Sequence, residues 1–382
     1  MLKPVAGFAA FGLFWGAWGA VLPAIRVDAG VNDGELGVAL LMIGLGALVS
    51  MRFTGYLIDR YGGVVLPVVT VLFALCGVLP ALAGSVVTLS AALLLLGATS
   101  GATDVAINAT GSQAEHDTGR PVMNFAHGMF SVAVVVASLG TAGLRAAGVG
   151  ALPVLAGAAA LIVITAAAAL APGATKVTGT PRTHTEKPRA RLEPVLLVFG
   201  VLCALAYLVE NAWQSWGAVH LDTSLNAAAG LASSAPAVFA AAAATGRFAG
   251  NALLARVRPV RLLVVGGAVA AVGSLVAATA NNPWTALIGI GVAGLGTSVC
   301  APTIIGMAGA WAGPERRAGA ISTVTTIAYV GFLIGPAAVG AVSSALSLPV
   351  ALGAVAVIAV VVAGLAPAAG RAAKPQASRQ PG

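Results

Sequence analysis

Charged residues are scarce in this sequence. Asp, Glu, Lys and Arg make up only 8% of the 382 residues, whereas 59% of the residues are hydrophobic. Soluble domains carry about 25% charged residues, so a water-soluble fold of this chain would have too little polar surface to cover itself. The apolar residues also come in long blocks, not in amphipathic stripes. These observations exclude a soluble globular protein.

Cysteine is rare and catalytic motifs are absent from the sequence. Cys76, Cys203 and Cys300 each lie inside an apolar block without a CxxC spacing or a His partner, so we interpret them as small core residues. There is no phosphate-binding loop of the form GxxxxGKS or GxxxxGKT, which excludes coupling to ATP hydrolysis by this chain. No nucleophile–base set or metal cluster occurs either, so we expect no enzyme, no cofactor and no metal.

The net charge of +8 does not indicate nucleic-acid binding. The basic residues are spread through short loops and the tail, with no basic helix and no interleaved aromatic residues. The distribution is typical of the loops of a membrane protein, which carry an excess of Lys and Arg on one side.

Twelve apolar stretches are long enough to cross a membrane, which takes about 20 mostly apolar residues. The first is too long for a signal peptide, whose apolar region has about 7–15 residues, so we expect it to stay in the mature protein. The predicted spans are 5–25, 36–57, 64–83, 86–109, 122–144, 149–171, 194–219, 227–254, 262–280, 284–310, 318–341 and 348–368.

The two halves of the chain repeat each other. Trp15 and Trp18 of span 1 return as Trp213 and Trp216 of span 7, 198 positions later, and basic residues before spans 5 and 11 match in nearly the same register. Six spans per half predict parallel repeats about an axis along the membrane normal. We therefore expect an all-α membrane protein of twelve transmembrane helices. Its predicted parts are a six-helix bundle at 1–171, a linker at 172–193, a second six-helix bundle at 194–368 and a disordered tail at 369–382.

The basic residues also predict the orientation. With a cytoplasmic N-terminus, only Arg26 and Arg145 of the 20 Lys and Arg residues fall on the outer side. This distribution follows the positive-inside rule. We expect a multi-pass protein of the cytoplasmic membrane, with the linker and both termini in the cytoplasm.

Twelve spans arranged as six plus six, a central cytoplasmic loop and the segment from Gly55 to Gly63, Gly-Tyr-Leu-Ile-Asp-Arg-Tyr-Gly-Gly, resemble the major facilitator superfamily. The segments 14–19, 104–108 and 119–127 are similar to a bacterial branch distantly related to fucose permease. That branch includes a membrane protein of rhizopine gene clusters. The resemblance implies that helices 1, 4, 7 and 10 line a central cavity and that Asp59 helps to latch the halves on the cytoplasmic side. It implies a gating role for Gly55, Asp59, Arg60 and Arg120.

Two acidic residues lie well inside predicted spans, and such charges are functional hypotheses by default because they cost about 2.5–3.5 kcal/mol to insert. Asp104 of span 4 shares a helix face with Ser100 and Asn108, since the three recur every four residues. We interpret this face as a proton or substrate site. The alternative is a structural tie from Asp104 and Asn108 to a neighbouring helix, for example to His127.

The second acidic residue, Glu210, lies in span 7 with Asn211, Trp213 and Gln214. Carboxylate, amide and indole groups together can bind a polar solute and stack against its apolar face. Trp213 and Trp216 are alternatively interfacial aromatics of the membrane belt, which we favour for Trp216. Trp15 and Tyr329, both expected near the middle of the membrane, are further candidates to line the cavity.

The remaining patterns bear on packing and on substrate charge. Glycine pairs four residues apart, Gly12–Gly16, Gly97–Gly101 and Gly331–Gly335, predict close approach of helix backbones.

No Lys or Arg is predicted at mid-depth in any span, which disfavours strongly anionic substrates.

We therefore expect a secondary transporter that works by alternating access on a small, neutral or weakly charged polar solute, such as a sugar-like compound. Burial disfavours the charged form of a carboxylate, so Asp104 or Glu210 is expected to load and release a proton. The partners are the solute, H⁺ and the lipid bilayer, and we expect a monomer. The alternatives are an exporter of amphipathic compounds and a membrane receptor that binds a ligand without moving it.

Overall fold

The computed structural model of this protein describes residues 2–119, 122–169, 193–254 and 256–372. These residues are almost entirely helical, and no strand occurs among them. Ten helical segments in this part of the chain are long and apolar enough to cross a membrane. One of them, Asp33–Leu82, covers predicted spans 2 and 3, and the shorter apolar helix Ala151–Ala167 matches span 6. Every predicted span therefore has a helical counterpart.

Within each described stretch of the chain the helices follow one another with short connections, and two 3-10 turns, Gly62–Val64 and Leu79–Leu82, flank the third helix. A four-residue helix and the helix after it together match predicted span 8, and the helix through spans 10 and 11 breaks its helical geometry at Gly313. In chain order they are α1 (Leu2–Asp28), α2 (Asp33–Tyr61), α3 (Val65–Val78), α4 (Val86–Thr118), α5 (Val122–Ala146), α6 (Ala151–Ala169), α7 (Pro194–Leu225), α8 (Ala229–Ala232), α9 (Ala235–Leu254), α10 (Pro259–Ala278), α11 (Pro283–Thr297), α12 (Cys300–Ala345) and α13 (Leu348–Ala372).

Polar residues at the helix starts satisfy backbone N–H groups that have no partner within the helix. The side chain of Asn32 accepts a hydrogen bond from the N–H of Glu35, whose carboxylate in turn accepts one from the N–H of Asn32. Ser85 and Thr88 form the same reciprocal box at the start of α4. These caps fix where α2 and α4 begin, and so they set the register of the polar residues further along each helix.

The chain divides into two compact units. Unit 1 comprises Met1–Thr183, Gln214–Ala241 and Pro336–Leu348, and unit 2 comprises His184–Trp213, Ala242–Gly335 and Pro349–Gly382. These units differ from the two predicted bundles, because parts of α7, α9 and α12 and all of α8 belong with the first half of the chain.

In unit 1, glycines let helix backbones come into direct contact. A Cβ added at Gly12 or Gly16 would overlap the backbone of α5, and one added at Gly97 or Gly101 would overlap the backbone of α2. The hydroxyl of Ser138 also donates to the carbonyl of Gly16, at 2.9 Å. The predicted close approach at these two glycine pairs is confirmed.

The end of unit 1 where α1 gives way to α2 holds a polar cluster. Arg26 forms an ion pair with Asp33 at 2.8 Å, and the hydroxyl of Ser343 donates to the same carboxylate. Nearby, Gly37 lies against the backbone of Gly340. This end is therefore where α1 and α2 meet the last turns of α12.

In unit 2, α7, α10, α12 and α13 surround an apolar core that includes Phe199, Leu263, Ile304 and Val324. Cys203 and Cys300 belong to this core, as predicted, whereas Cys76 of unit 1 is half-buried. A Cβ at Gly331 would overlap the backbone of Ala204 in α7. A Cβ at Gly335 would make ordinary contacts with Leu208, so the close approach predicted for this pair holds only at its first glycine.

One boundary differs from the prediction. The last helix, α13, runs to Ala372, so residues 369–372 are helical and not the start of a disordered tail. Its apolar pattern ends near residue 368, but the Ala-rich segment that follows favours helix and extends it by a turn. The predicted linker, except for Glu193, and the rest of the predicted tail lie outside the described residues.

Candidate functional site

The polar face predicted on α4 is present in unit 1. Asp104, near the middle of α4, is half-buried, and the side-chain amide of Asn108 donates to its carboxylate at 3.1 Å and to its backbone carbonyl at 2.8 Å. Ser100, one turn earlier, is buried. The carboxylate of Asp104 thus has a neutral hydrogen-bond donor beside it, and no basic side chain forms an ion pair with it among the described residues.

His127 of α5 lies within electrostatic range of Asp104 but forms no hydrogen bond with it among the described residues. Its Nδ1 lies 2.9 Å from the carbonyl of Met123, and its ring packs on Phe8 with the centroids 4.4 Å apart. Because a carbonyl can only accept, Nδ1 carries a hydrogen, which leaves Nε2 as the acceptor of the neutral ring. His127 is therefore a second polar group close to Asp104 and is itself exposed.

An aromatic cluster lies on α1 of unit 1. Trp15 packs edge-on against Phe11 and Phe14, with centroid distances of 6.1 and 5.6 Å, and Phe11 also contacts Phe73 and Phe130. Phe14 is fully buried, whereas Trp15 and Phe11 keep part of their surface exposed. Trp15 is thus held by its aromatic neighbours and is half-buried, and its role in lining the cavity stays a prediction.

Unit 2 contains an ion pair that the sequence analysis missed. Nη2 of Arg247, on α9, lies 2.8 Å from Oε1 of Glu210, in the middle of α7. The side chain of Glu210 is 8% exposed and that of Arg247 is 46% exposed. The guanidinium of Arg247 thus reaches a carboxylate in the middle of α7, because the long arginine side chain carries its charge far from its own Cα atom. The expectation that no basic residue lies at mid-depth stays a prediction.

One tyrosine lies near this ion pair, and a second lies near the first. Tyr207, one turn before Glu210 on α7, is within electrostatic range of both Glu210 and Arg247. Its ring contacts Phe332 at 6.3 Å, and Phe332 contacts Tyr329 at 6.1 Å. Tyr207 was also missed, although its spacing of three residues from Glu210 puts both on one helix face. The predicted Tyr329 is brought to the same group.

Asn211 has a structural contact that its sequence position did not indicate. Its amide donates to the carbonyl of Phe332 on α12. In a regular helix that carbonyl would accept from the residue four positions later, but this residue is Pro336, which has no N–H. Asn211 thus satisfies a carbonyl that the proline leaves open, and its role as a solute ligand stays a prediction.

The two tryptophans of α7 are buried. Nε1 of Trp213 donates to Oγ of Ser274 on α10 at 2.8 Å, and Nε1 of Trp216 donates to the carbonyl of Pro336 at 3.2 Å. Both side chains are at most 1% exposed. Both indoles are thus enclosed by other helices, and the favoured interpretation of Trp216 as an interfacial aromatic stays a prediction. Gln214, by contrast, is exposed.

The contact between Trp213 and Ser274 predicts a measurable loss of stability. Trp213→Phe removes the indole N–H and part of the packed ring, so we expect about 1–3 kcal/mol less stability. Adding Ser274→Ala to Trp213→Phe should cost less than Ser274→Ala alone, because the hydrogen bond is already lost. Thermal unfolding of the four proteins in detergent measures this. The control is Trp284→Phe, since Trp284 is 67% exposed; equal losses at both tryptophans would contradict the assignment.

Three of the four predicted gating residues, Gly55, Asp59 and Arg60, lie in the last turns of α2. Asp59 is exposed and forms no ion pair within the described residues, and Arg60 donates to the hydroxyl of Tyr56 at 2.9 Å. A Cβ at Gly55 would meet nothing within 4 Å. Arg120 lies outside the described residues. The gating role of these four residues therefore stays a prediction.

Comparison with known proteins decides the family. The chain is 32% identical to an uncharacterised MFS-type transporter of Yersinia pestis over 364 residues, which cover 94% of this chain and 93% of the relative. The chain belongs to the major facilitator superfamily. The superfamily sequence profile matches residues 203–382 directly. The membrane protein MosC of Rhizobium meliloti is 26% identical over 92% of this chain and 86% of its own length, so the resemblance to a rhizopine-cluster protein is confirmed.

Solved structures share the fold of this superfamily member. The nucleoside transporter NupG superposes with a TM-score of 0.78 at 15% identity, and covers 97% of this chain and 98% of its own. A bacterial homologue of the lysosomal transporter Spinster, in an inward-facing and occupied conformation, gives a TM-score of 0.77 at 16% identity, with 97% and 96% covered. The twelve-helix fold and the role as a membrane transporter, not an enzyme, follow from these comparisons.

Proposed function

We propose that this transporter is a proton-coupled secondary transporter of a small, neutral or weakly charged polar solute, such as a sugar-like compound. It works as a monomer by alternating access in the cytoplasmic membrane, with both termini in the cytoplasm. The observation that carries the proposal is the half-buried carboxylate of Asp104 in the middle of α4, whose hydrogen-bond partner is the neutral amide of Asn108.

Asp104 is the coupling residue in this proposal. Among the described residues, no Lys or Arg forms an ion pair with Asp104. Removal from water disfavours the charged form of such a carboxylate, so drier surroundings favour the bound proton. An amide partner such as Asn108 can hydrogen-bond to the carboxylate in either protonation state. These properties support a group that takes up a proton on one side of the membrane and releases it on the other.

Each unit has its own candidate solute contacts. On unit 1 we assign them to Trp15, Asn108 and His127, which all keep exposed surface beside Asp104 or on α1. On unit 2 we assign them to Tyr329, which lies in the same aromatic group as Tyr207, and to Glu210 through its ion pair with Arg247. Gln214, which belongs to unit 1 and is exposed, is also proposed as a solute contact, as predicted from the sequence. Asn211 and Trp213 also bind Phe332 and Ser274, so we propose that they hold neighbouring helices together as well as contacting the solute.

A flux assay tests the proposal. The purified protein is reconstituted into liposomes loaded with a pH-sensitive dye, and glucose, glucitol, myo-inositol, glucuronate, gluconate and lactate are added outside one at a time. We expect at least one compound to acidify the lumen at a rate that depends on the protein. Exchange of a labelled compound without any acidification would contradict proton coupling, and binding without exchange would instead support a receptor.

Export of amphipathic compounds is the second candidate. The observation in its favour is the aromatic cluster around Trp15 and Phe11, because aromatic faces bind apolar rings and organic cations. A drug-susceptibility panel on cells with the gene deleted and overexpressed separates the two functions. Export predicts lower susceptibility on overexpression, whereas uptake of a polar solute predicts an unchanged panel.

A further inference from the structure

Arg247 is the one charged residue of α9, whose other described residues are mostly alanine and larger apolar residues. A charge inside a membrane span is expensive to insert and therefore indicates a function. Its ion pair with Glu210 offsets part of that cost. A protein that needed only a neutral, well-packed interior at this position would be better served by two apolar residues, since replacing a buried ion pair by such residues is often neutral or stabilising.

The exposure of the ion pair is uneven. Glu210 is almost completely buried, whereas Arg247 keeps nearly half of its side-chain surface exposed. Arginine inside a span almost always faces protein or a water-filled cavity and not lipid. The exposed part of Arg247 is therefore the part of the ion pair that a dissolved molecule can reach.

Arg247 also has hydrogen-bonding capacity to spare. A guanidinium group has five N–H donors in a fixed fork that matches a carboxylate. Among the described residues, the hydrogen bond of this guanidinium is the one that Nη2 donates to Glu210. The donors on Nε and Nη1 thus remain for a ligand, and two parallel hydrogen bonds to a carboxylate are the interaction that arginine favours.

We propose that Arg247 binds a carboxylate group of the transported solute, in competition with Glu210, and that the solute is a polar monocarboxylate such as a sugar acid or hydroxy acid. One negative charge matches one guanidinium, and the carboxylate of Glu210 repels a second. Tyr207 lies within electrostatic range of the ion pair and of Tyr329, and its ring is the group nearest to hand for contact with the rest of the solute. This inference rests on the proposed transport function and names its substrate class.

Matched compounds that differ in one carboxylate test the proposal. The purified protein in detergent is titrated with glucuronate and glucose, with gluconate and glucitol, and with lactate and propane-1,2-diol, and thermal unfolding is recorded. We expect the carboxylate member of at least one pair to stabilise the protein and its neutral partner to have no effect. Stabilisation by the neutral members to the same extent, or by no member of any pair, would overturn the proposal.

Variants of the ion pair should act in opposite directions. Arg247→Gln should abolish stabilisation by the carboxylate, and Arg247→Lys should weaken it, because an ammonium group cannot form the two parallel bonds. Glu210→Gln removes the competing charge and should tighten carboxylate binding about tenfold. If the ion pair is purely structural, Arg247→Gln and Glu210→Gln should both weaken carboxylate binding. That result would contradict the proposal. Because the proposal expects opposite effects from the two variants, it stays testable even if one of them unfolds at a lower temperature.

Arg261→Gln is the matched control, since Arg261 is an exposed arginine at the start of α10. It should bind the carboxylate like the wild type. The flux assay distinguishes failure of the transport function from failure of the role given to Arg247. If glucose or glucitol acidifies the lumen, and Arg247→Gln does so equally well, proton-coupled transport is supported and the role of Arg247 is overturned.

Discussion

Asp104→Asn is expected to abolish accumulation of solute driven by a pH gradient and to leave exchange of solute intact. Asparagine has nearly the shape of aspartate and can still form a hydrogen bond with Asn108, but it cannot bind or release a proton at working pH. In a transporter that moves one proton with one solute, a gradient of one pH unit is worth about 1.4 kcal/mol and sustains about tenfold accumulation. The variant should reduce this ratio to about one.

The measurement compares uptake with and without an imposed pH gradient in the same liposomes, for the compound that gives the strongest signal in the flux assay. Asp117→Asn is the control, because Asp117 lies on the same helix but is exposed at its end and hydrogen-bonds to Gln113. It should accumulate solute like the wild type. Tenfold accumulation by Asp104→Asn would exclude Asp104 as the coupling residue, and a loss of exchange in that variant would point to solute binding instead.

The number and order of the helices could be predicted from the sequence because each span is a block of apolar residues of membrane-spanning length. The internal breaks could not. The mean hydropathy of a stretch of residues does not show that Gly313 leaves the helical region at φ 73°. Nor does it show that two residues separate α8 from α9. Such breaks depend on a few backbone dihedral angles and on the neighbours that tolerate them.

For the candidate site, features within one helix could be predicted from the sequence, whereas contacts between helices could not. Asp104 and Asn108 could be placed on one face because they belong to one helix with a known period. The contact of Glu210 with Arg247 joins residues 37 positions apart on separate helices, and no local pattern encodes it. The burial of Trp213 and Trp216 could not be predicted either, because α7 is apolar on most sides and its sequence does not state which side faces other helices.

Close helix packing also yields a prediction with a large effect. Gly331→Leu should prevent stable folding, because a side chain at this position would overlap the backbone of Ala204 on α7. Removing a glycine from a helix interior gains about 1 kcal/mol in helix propensity, whereas forcing a large side chain against a backbone costs about 3 kcal/mol or more. The steric cost therefore exceeds the gain, and the two helices must separate.

In a membrane, separation of the two helices costs the interactions that hold them together. Helices in lipid gain little from burying apolar surface against each other, and they associate through close packing and hydrogen bonds. When α7 and α12 move apart at Gly331, the hydrogen bond from Asn211 to Phe332, one residue further along, is lost as well. Gly319→Leu on the same helix is the control, because a Cβ at Gly319 meets no atom within 4 Å. Size-exclusion profiles and thermal unfolding of both variants measure the effect, and a Gly331→Leu protein as stable as the Gly319→Leu protein would contradict the packing assigned to α7 and α12.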